Sequence, residues 1–358
     1  MADNKENKVL NVPALRFPEF TEEWNYESLD TIAPNITSGR SKPSLGEYNL
    51  YGSTGIIGKT ATADYSGDML LVARVGANAG SLQLVNDSCG ITDNTLIIKS
   101  CKLSSHYLYF YLQHYNLNRL VFGSGQPLIT AGMLKKVRIP FGNQLEQKKI
   151  ENFLCCIDER ITTQNKIIED LKKLKSAIYQ EMFGSLVAQT LKLGQVAEVV
   201  KGKQVNGTEL LEQGDYYVMN GGTLPSGWLY KYNTEANTIS ISEGGNSCGY
   251  VQYNTSPYWS GGHCYSLKIL HPQETSDLYL YHFLKWQEEN IMALRIGSGL
   301  PNIQKKDLLH FPVILPTITQ QNKIVLILSA IEEKVSCEIS ITQYFVKQKE
   351  YLLSQLFI

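Results

Sequence analysis

The chain has 358 residues, 43% of them hydrophobic and 19% charged, with a net charge of −1. That composition belongs to a globular protein of about two domains and excludes general disorder. No apolar run, including Met69–Ala73, approaches the ~20 residues of a membrane-spanning helix, and Met1 to Lys8 is too polar for a signal peptide. Seven cysteines without a C-x-x-C pair, and six histidines without ligand spacing, predict neither a disulfide framework nor a metal centre. They point to a reducing, cytoplasmic setting.

Taken in order, residues 1–23 form an N-terminal segment, and 24–143 predict a first globule of short strands with turn-rich connections. Met69–Val72, Ser81–Val85 and Thr95–Ile98 read as strands, and 104–119 as a helix. Residues 144–184 predict a long helix of about 34 residues, or roughly 50 Å. Ile150, Leu154, Ile157, Ile161, Ile168, Leu171 and Ile178 form its seam, spaced alternately by 4 and 3 and interrupted by Gln164 and Lys175. Residues 185–316 predict a second globule, with strands at Thr238–Ser242, Tyr250–Tyr253 and Tyr265–Ile269 and a helix over 276–294. Residues 317–358 predict a second long helix with the seam Ile324, Leu328, Ile331, Val335, Phe345, Leu352 and Leu356, interrupted by Glu338, Thr342 and Lys349. The fold class is α+β, and the equal seams predict that the helices pair as a coiled coil.

The chain is written twice. Gly123-Ser124-Gly125 recurs as Gly297-Ser298-Gly299, Gln147-Lys148-Lys149-Ile150 as Gln321-Asn322-Lys323-Ile324, and Phe183 as Phe357. Tyr107-Leu108-Tyr109 answers Tyr279-Leu280-Tyr281. The back halves match without a gap, while the front halves diverge. The first globule (25–143) carries ten basic against seven acidic residues, and residues 184–316 carry nine against eleven.

Catalytic motifs are not found. Ser53–Thr60 resembles a phosphate-binding loop, but its first glycine is misplaced and the helix such a loop needs does not follow, since Ala61–Gly67 reads as a turn into a strand; it reads as a glycine turn between strands. Phe122-Gly123-Ser124-Gly125 departs from the methyltransferase F-x-G-x-G loop, and Glu146-Gln147-Lys148 has nuclease spacing without an acidic partner. Asp158-Glu159 and Glu332-Glu333 read as solvated helix faces. The expectation is no catalytic residue and no metal. The positive signal is polar and aromatic richness in the globules. Arg40, Lys42, Arg74 and Asn78 in the first, and Lys201, Lys203, Asn246 and Gln252 in the second, are candidate DNA contacts. Arg and Lys bond guanine edges or phosphates, and Asn and Gln bond adenine edges.

The order of parts resembles the DNA specificity subunits of Type I restriction-modification enzymes. The resemblance rests on Val12–Phe20 before Trp24, the two Gly-Ser-Gly-x-Pro segments, the Gln-x-Lys-Ile helix openings, and Ile157-Asp158-Glu159-Arg160-Ile161 answered by Ile331-Glu332-Glu333-Lys334-Val335. It covers nearly the whole chain. It implies two target recognition domains, each reading half of a split asymmetric DNA sequence, on a pseudo-twofold frame. The helices would pair antiparallel as a spacer. It further implies two methyltransferase subunits using S-adenosylmethionine, and restriction subunits using ATP and Mg, with no cofactor on this chain. Two other readings stay open: a scaffold with a duplicated protein-binding globule, and an enzyme with an unfamiliar site.

Overall fold

The computed structural model describes residues 11–122, 127–297, 299 and 301–358. The chain divides into two compact units, residues 1–165 with 340–358, and residues 166–339. The division falls inside both long helices.

The first unit opens with β1 (Asn25–Ser28), α1 (Leu29–Ile32), β2 (Thr37–Ser38), β3 (Tyr48–Gly52), β4 (Gly55–Thr60), β5 (Tyr65–Ala73), β6 (Leu82–Ile91) and β7 (Thr95–Ile98). There follow α2 (Ser105–Tyr115), α3 (Ala131–Lys135), β8 (Arg138–Phe141) and α4 (Gln144–Gly184). The sheet order is β2-β7-β5-β6-β3-β4, with β1 and β8 paired apart. Strand β5 shows why the sheet forms where it does. Its second half, Met69–Ala73, is wholly buried and sits between β6 and β7, the continuous apolar run expected of a strand covered on both faces. Ser104 caps α2 by accepting from the Tyr107 amide.

The second unit contains β9 (Gln189–Lys192), α5 (Leu193–Val196), β10 (Ala197–Lys201), β11 (Tyr216–Met219), β12 (Trp228–Leu229), β13 (Thr238–Ser242), β14 (Val251–Asn254), β15 (Trp259–Ser260) and β16 (Cys264–Ile269). It continues with α6 (Asp277–Trp286), α7 (Glu288–Met292), α8 (Lys305–Leu309), β17 (Pro312–Leu315) and α9 (Ile318–Leu356). The order β10-β16-β13-β14 repeats β2-β7-β5-β6, and β9-β17 repeats β1-β8. The long β6 is answered by two short strands, β14 and β15, interrupted around Pro257, where a ladder donor is lost. The parallel pairing of β3 with β6 recurs as β11 with β15.

The long helices have 41 and 39 residues, longer than the 34 expected from the seam alone. In the first unit, Asp158 of α4 meets Lys349 of α9 at 2.6 Å, and Arg160 lies over the Phe345 ring. Rising numbers on α4 meet falling numbers on α9, so this half of the pair is antiparallel. Ile150, Leu154, Ile157, Leu352 and Leu356 are buried in the first core, while Ile161 and Phe345 are half-buried. In the second unit, Ile324 and Leu328 are buried in the core with Ile178 packed against it. Ile168 is buried as well, and Leu171, Ile331 and Val335 are half-buried.

The seam also corrects an expectation. Asp158 and Glu332 are not solvated helix-face residues. Glu332 takes Lys175 at 2.6 Å just as Asp158 takes Lys349, so one ion pair is built twice at corresponding places. Glu159 and Glu333 do face solvent.

Each globule is closed by an aromatic latch. Phe357 packs edge-on against Tyr107 and Tyr111 and stacks on His114. In the other unit Phe183 meets Tyr279, Phe283 and Trp286. The hydroxyls of Tyr107 and Tyr279 donate to the Pro140 and Ile314 carbonyls. The first globule is therefore completed by the last residues of the chain.

Candidate nucleic-acid interface

One end of each sheet gathers the loops that carry most of the candidate residues. In the first globule the frame starts at Gly39, whose amide donates to Thr95. A Cβ there would meet the Ile91 carbonyl oxygen at 2.2 Å, so only glycine lets the backbone approach this closely. The Arg74 amide donates to Asn94, the Ile129 amide to Arg74, and the Gly76 amide to Pro127. Gly76, with φ of 79°, turns the chain in the left-handed region.

The second globule builds the same frame bond for bond. Gly202 donates to Cys264, and its Cβ would meet the Gly261 carbonyl oxygen at 2.1 Å. Glu243 donates to His263, Ile303 to Glu243, and Gly245 to Pro301, with Gly245 at φ 76°. Of the two Gly-Ser-Gly-x-Pro segments, residues 123–126, 298 and 300 lie outside the described residues, while Pro127 and Pro301 are part of this frame.

On equivalent backbone stand different side chains. Arg40 follows Gly39 where Lys203 follows Gly202, and both are exposed. Arg74 occupies the place of Glu243, and Asn94 the place of His263. Arg74 is half-buried and makes no ion pair or side-chain hydrogen bond among the described residues. Glu243 is buried. Its Oε1 accepts from Lys201 at 2.6 Å and from the Tyr265 hydroxyl at 3.0 Å. Burial and this carboxylate push the Tyr265 phenol up, keeping it a donor. His263 Nδ1 lies 3.9 Å from Glu243 Oε2, and the His263 amide donates to the Asn220 side chain.

The structure thus brings together Arg40, Arg74 and Asn78 in one globule and Lys201, Lys203 and Asn246 in the other; Asn78 and Asn246 are exposed in the glycine turns. Lys42 is exposed one residue past Ser41, whose hydroxyl is engaged by Asp64 and the Ile91 amide, and it is not bonded to the frame among the described residues. Gln252 lies mid-strand on the edge strand β14 opposite Ser240, its Oε1 buried with no hydrogen-bond partner among the described residues, so it is not a loop-end residue. Glu243, His263 and Asn94 carry no motif that marks them in the sequence; His263 stands in the turn before β16.

Among the described residues, no group of His, Cys, Asp or Glu could hold a metal ion, and no helix is long and apolar enough to cross a membrane. The glycine turn at Ser53-Thr54 joins β3 to β4 as a hairpin, in keeping with the non-nucleotide reading.

A duplicated α+β globule with one loop end built on the same frame in each copy, each followed by a long helix, defines a protein with two divergent heads. The family model described as the Type I restriction modification DNA specificity domain matches twice, at residues 9–173 and 188–343, and the chain belongs to this family. A chain of Mycoplasma pneumoniae named as a type I specificity subunit is 36% identical over 40% of this chain and 38% of its own length. A second, of Mycoplasma genitalium, is 28% identical over 65% of this chain and 66% of its own. The aligned parts thus span less than two thirds of either relative. The crystal structure of the Type I restriction-modification system S subunit from M. genitalium superposes with a TM-score of 0.72 at 21% identity, covering 97% of this chain and 99% of that one. A chain from work on complex assembly and conformational transition of the type I R-M system gives 0.56 at 16% identity, covering 93% and 97%. Both likenesses are of fold.

Proposed function

We propose that this chain is the DNA-reading subunit of a Type I restriction-modification complex, each globule reading half of a bipartite, non-palindromic target. The observation that carries the reading is the loop end built twice on one hydrogen-bonded frame but furnished differently, with Arg74 opposed to Glu243, Asn94 to His263 and Arg40 to Lys203. A shared frame holds two readers alike, and different side chains give them different targets. The chain itself is non-catalytic. Methyltransferase subunits supply S-adenosylmethionine chemistry and extrude the adenine, since a base inside the stack cannot be reached. Restriction subunits supply the steps that use ATP and Mg, and the assembly works in the cytoplasm. The near-neutral charge and the acidic second globule support dependence on partners, because affinity for DNA rests largely on phosphate neutralisation.

The test is the motif methylated by the complex, read by modification-sensitive sequencing. A split asymmetric motif is expected; a continuous or palindromic one would remove the proposal.

A further inference from the structure

The front halves of the two repeats diverge, yet two basic positions are kept. Arg40 and Lys203 follow the two close-packed glycines, Gly39 and Gly202. Lys99 and Lys268 are the second pair. Lys99 follows Ile98, which faces Leu70 across the sheet, and Lys268 follows Leu267, which faces Ile239 at the corresponding place. Neither Lys99 nor Lys268 stands out in the sequence, because the spacing between copies changes at each intervening loop.

In the second globule the pair has a defined setting. Lys203 and Lys268, with Lys201, line a cleft of about 430 Å³ that also presents Asn233, Ser266 and the acidic Glu235. The main chain of Lys203 is fixed on both sides. Its amide donates to Ser260, and its carbonyl accepts from the Trp259 indole at 2.8 Å. Lys201 is already matched by Glu243 at 2.6 Å. Lys268 stands opposite Glu198 across the β10–β16 ladder, but neither its ammonium nor that of Lys203 is drawn into an ion pair among the described residues. In the first globule Arg40 is likewise unpaired among them, while Lys99 donates to the Ser66 carbonyl at 2.9 Å and keeps its charge unmatched.

We propose that Arg40 with Lys99, and Lys203 with Lys268, are two copies of one phosphodiester-backbone grip, reading no base and holding each globule on the duplex, Arg40 and Lys203 at the loop end and Lys99 and Lys268 further along β7 and β16. This rests on the DNA-reading proposal above. A net-acidic globule that must approach DNA needs its few cations where the backbone passes, and cations held out of ion pairs on strand or hydrogen-bonded main chain meet that need. The sequence-independence of a phosphate explains why these positions stay basic in both copies while Arg74 and Glu243 do not match.

The experiment uses the full chain assembled with its methyltransferase subunits and titrates a target duplex at several salt concentrations. Each lost phosphate contact lowers the slope of log affinity against log salt by about 0.9. Lys203→Ala with Lys268→Ala should lower it by about two and weaken binding to target and unrelated duplex alike, with the methylated motif unchanged. Arg40→Ala with Lys99→Ala should do the same. Lys203→Arg with Lys268→Arg, which retains both charges, should restore the slope and controls for folding. An unchanged slope, or an altered motif, would overturn the grip. A wild-type complex without sequence-specific binding would instead remove the DNA-reading proposal itself.

Discussion

Arg74 and Glu243 show how one backbone position can be given opposite chemistry. An arginine offers paired donors matching guanine O6 and N7, and each such pair discriminates by about 1–3 kcal/mol. Arg74→Ala in the assembled complex should relax one base of the first half-site and leave the second untouched, as seen in the methylated motif. A second contrast lies in the helix seam. His282 is fully buried, with Nδ1 2.7 Å from the Tyr179 hydroxyl, which is itself 3.3 Å from Glu332, and Lys175 pairs with the same carboxylate. The other repeat places Phe110 and Leu353 where this one has His282 and Tyr179. Burial lowers the His282 pKa to about 4, against some opposition from Glu332. The unfolded imidazole takes a proton near pH 6.5, so its neutral form favours the fold fully above that pH, and the benefit is lost as pH falls toward 4. The second unit should lose on the order of 2–3 kcal/mol over that window. His282→Phe should flatten this part of its stability-versus-pH curve, measured by denaturant unfolding from pH 7 to 4.

At the scale of elements, the aromatic latches make a connection the sequence does not advertise. Phe357 lies one residue from the end of the chain yet fills a cup made by Tyr107, Tyr111 and His114. Phe357→Ala should therefore cost about 3–5 kcal/mol in the first unit, while Phe183→Ala should strike the second. Hydrogen exchange resolved along the chain separates the two outcomes; loss of protection around 277–286 in the Phe357 variant would contradict the assignment. Much of this level was readable beforehand. Thr95–Ile98 and Thr238–Ser242 agree with β7 and β13 because short runs rich in Thr and Ile there are bounded by turn signals. The seam was readable because an apolar residue every three or four positions leaves few alternatives to a helix. The loop-end frame was not. It is held by backbone bonds such as Arg74 to Asn94 and Glu243 to His263, which any side chain permits, and loops of different length hide the equivalence. Asp158 and Glu332 were misread because a charged pair on a helix looks the same whether it meets water or a lysine across the seam.

For the whole molecule, the proposed reading gives recognition to the globules and spacing to the helices. Inserting one heptad at equivalent places in α4 and α9 should lengthen the gap in the target and leave both half-sites as they were. Whether each globule reads its own half is decided by exchanging residues 185–316 for the corresponding globule of a related specificity subunit. The motif methylated by the assembled complex is then sequenced. One half of the motif should change while the other half and the spacing stay fixed. A motif altered in both halves, or in neither, would contradict the proposed reading.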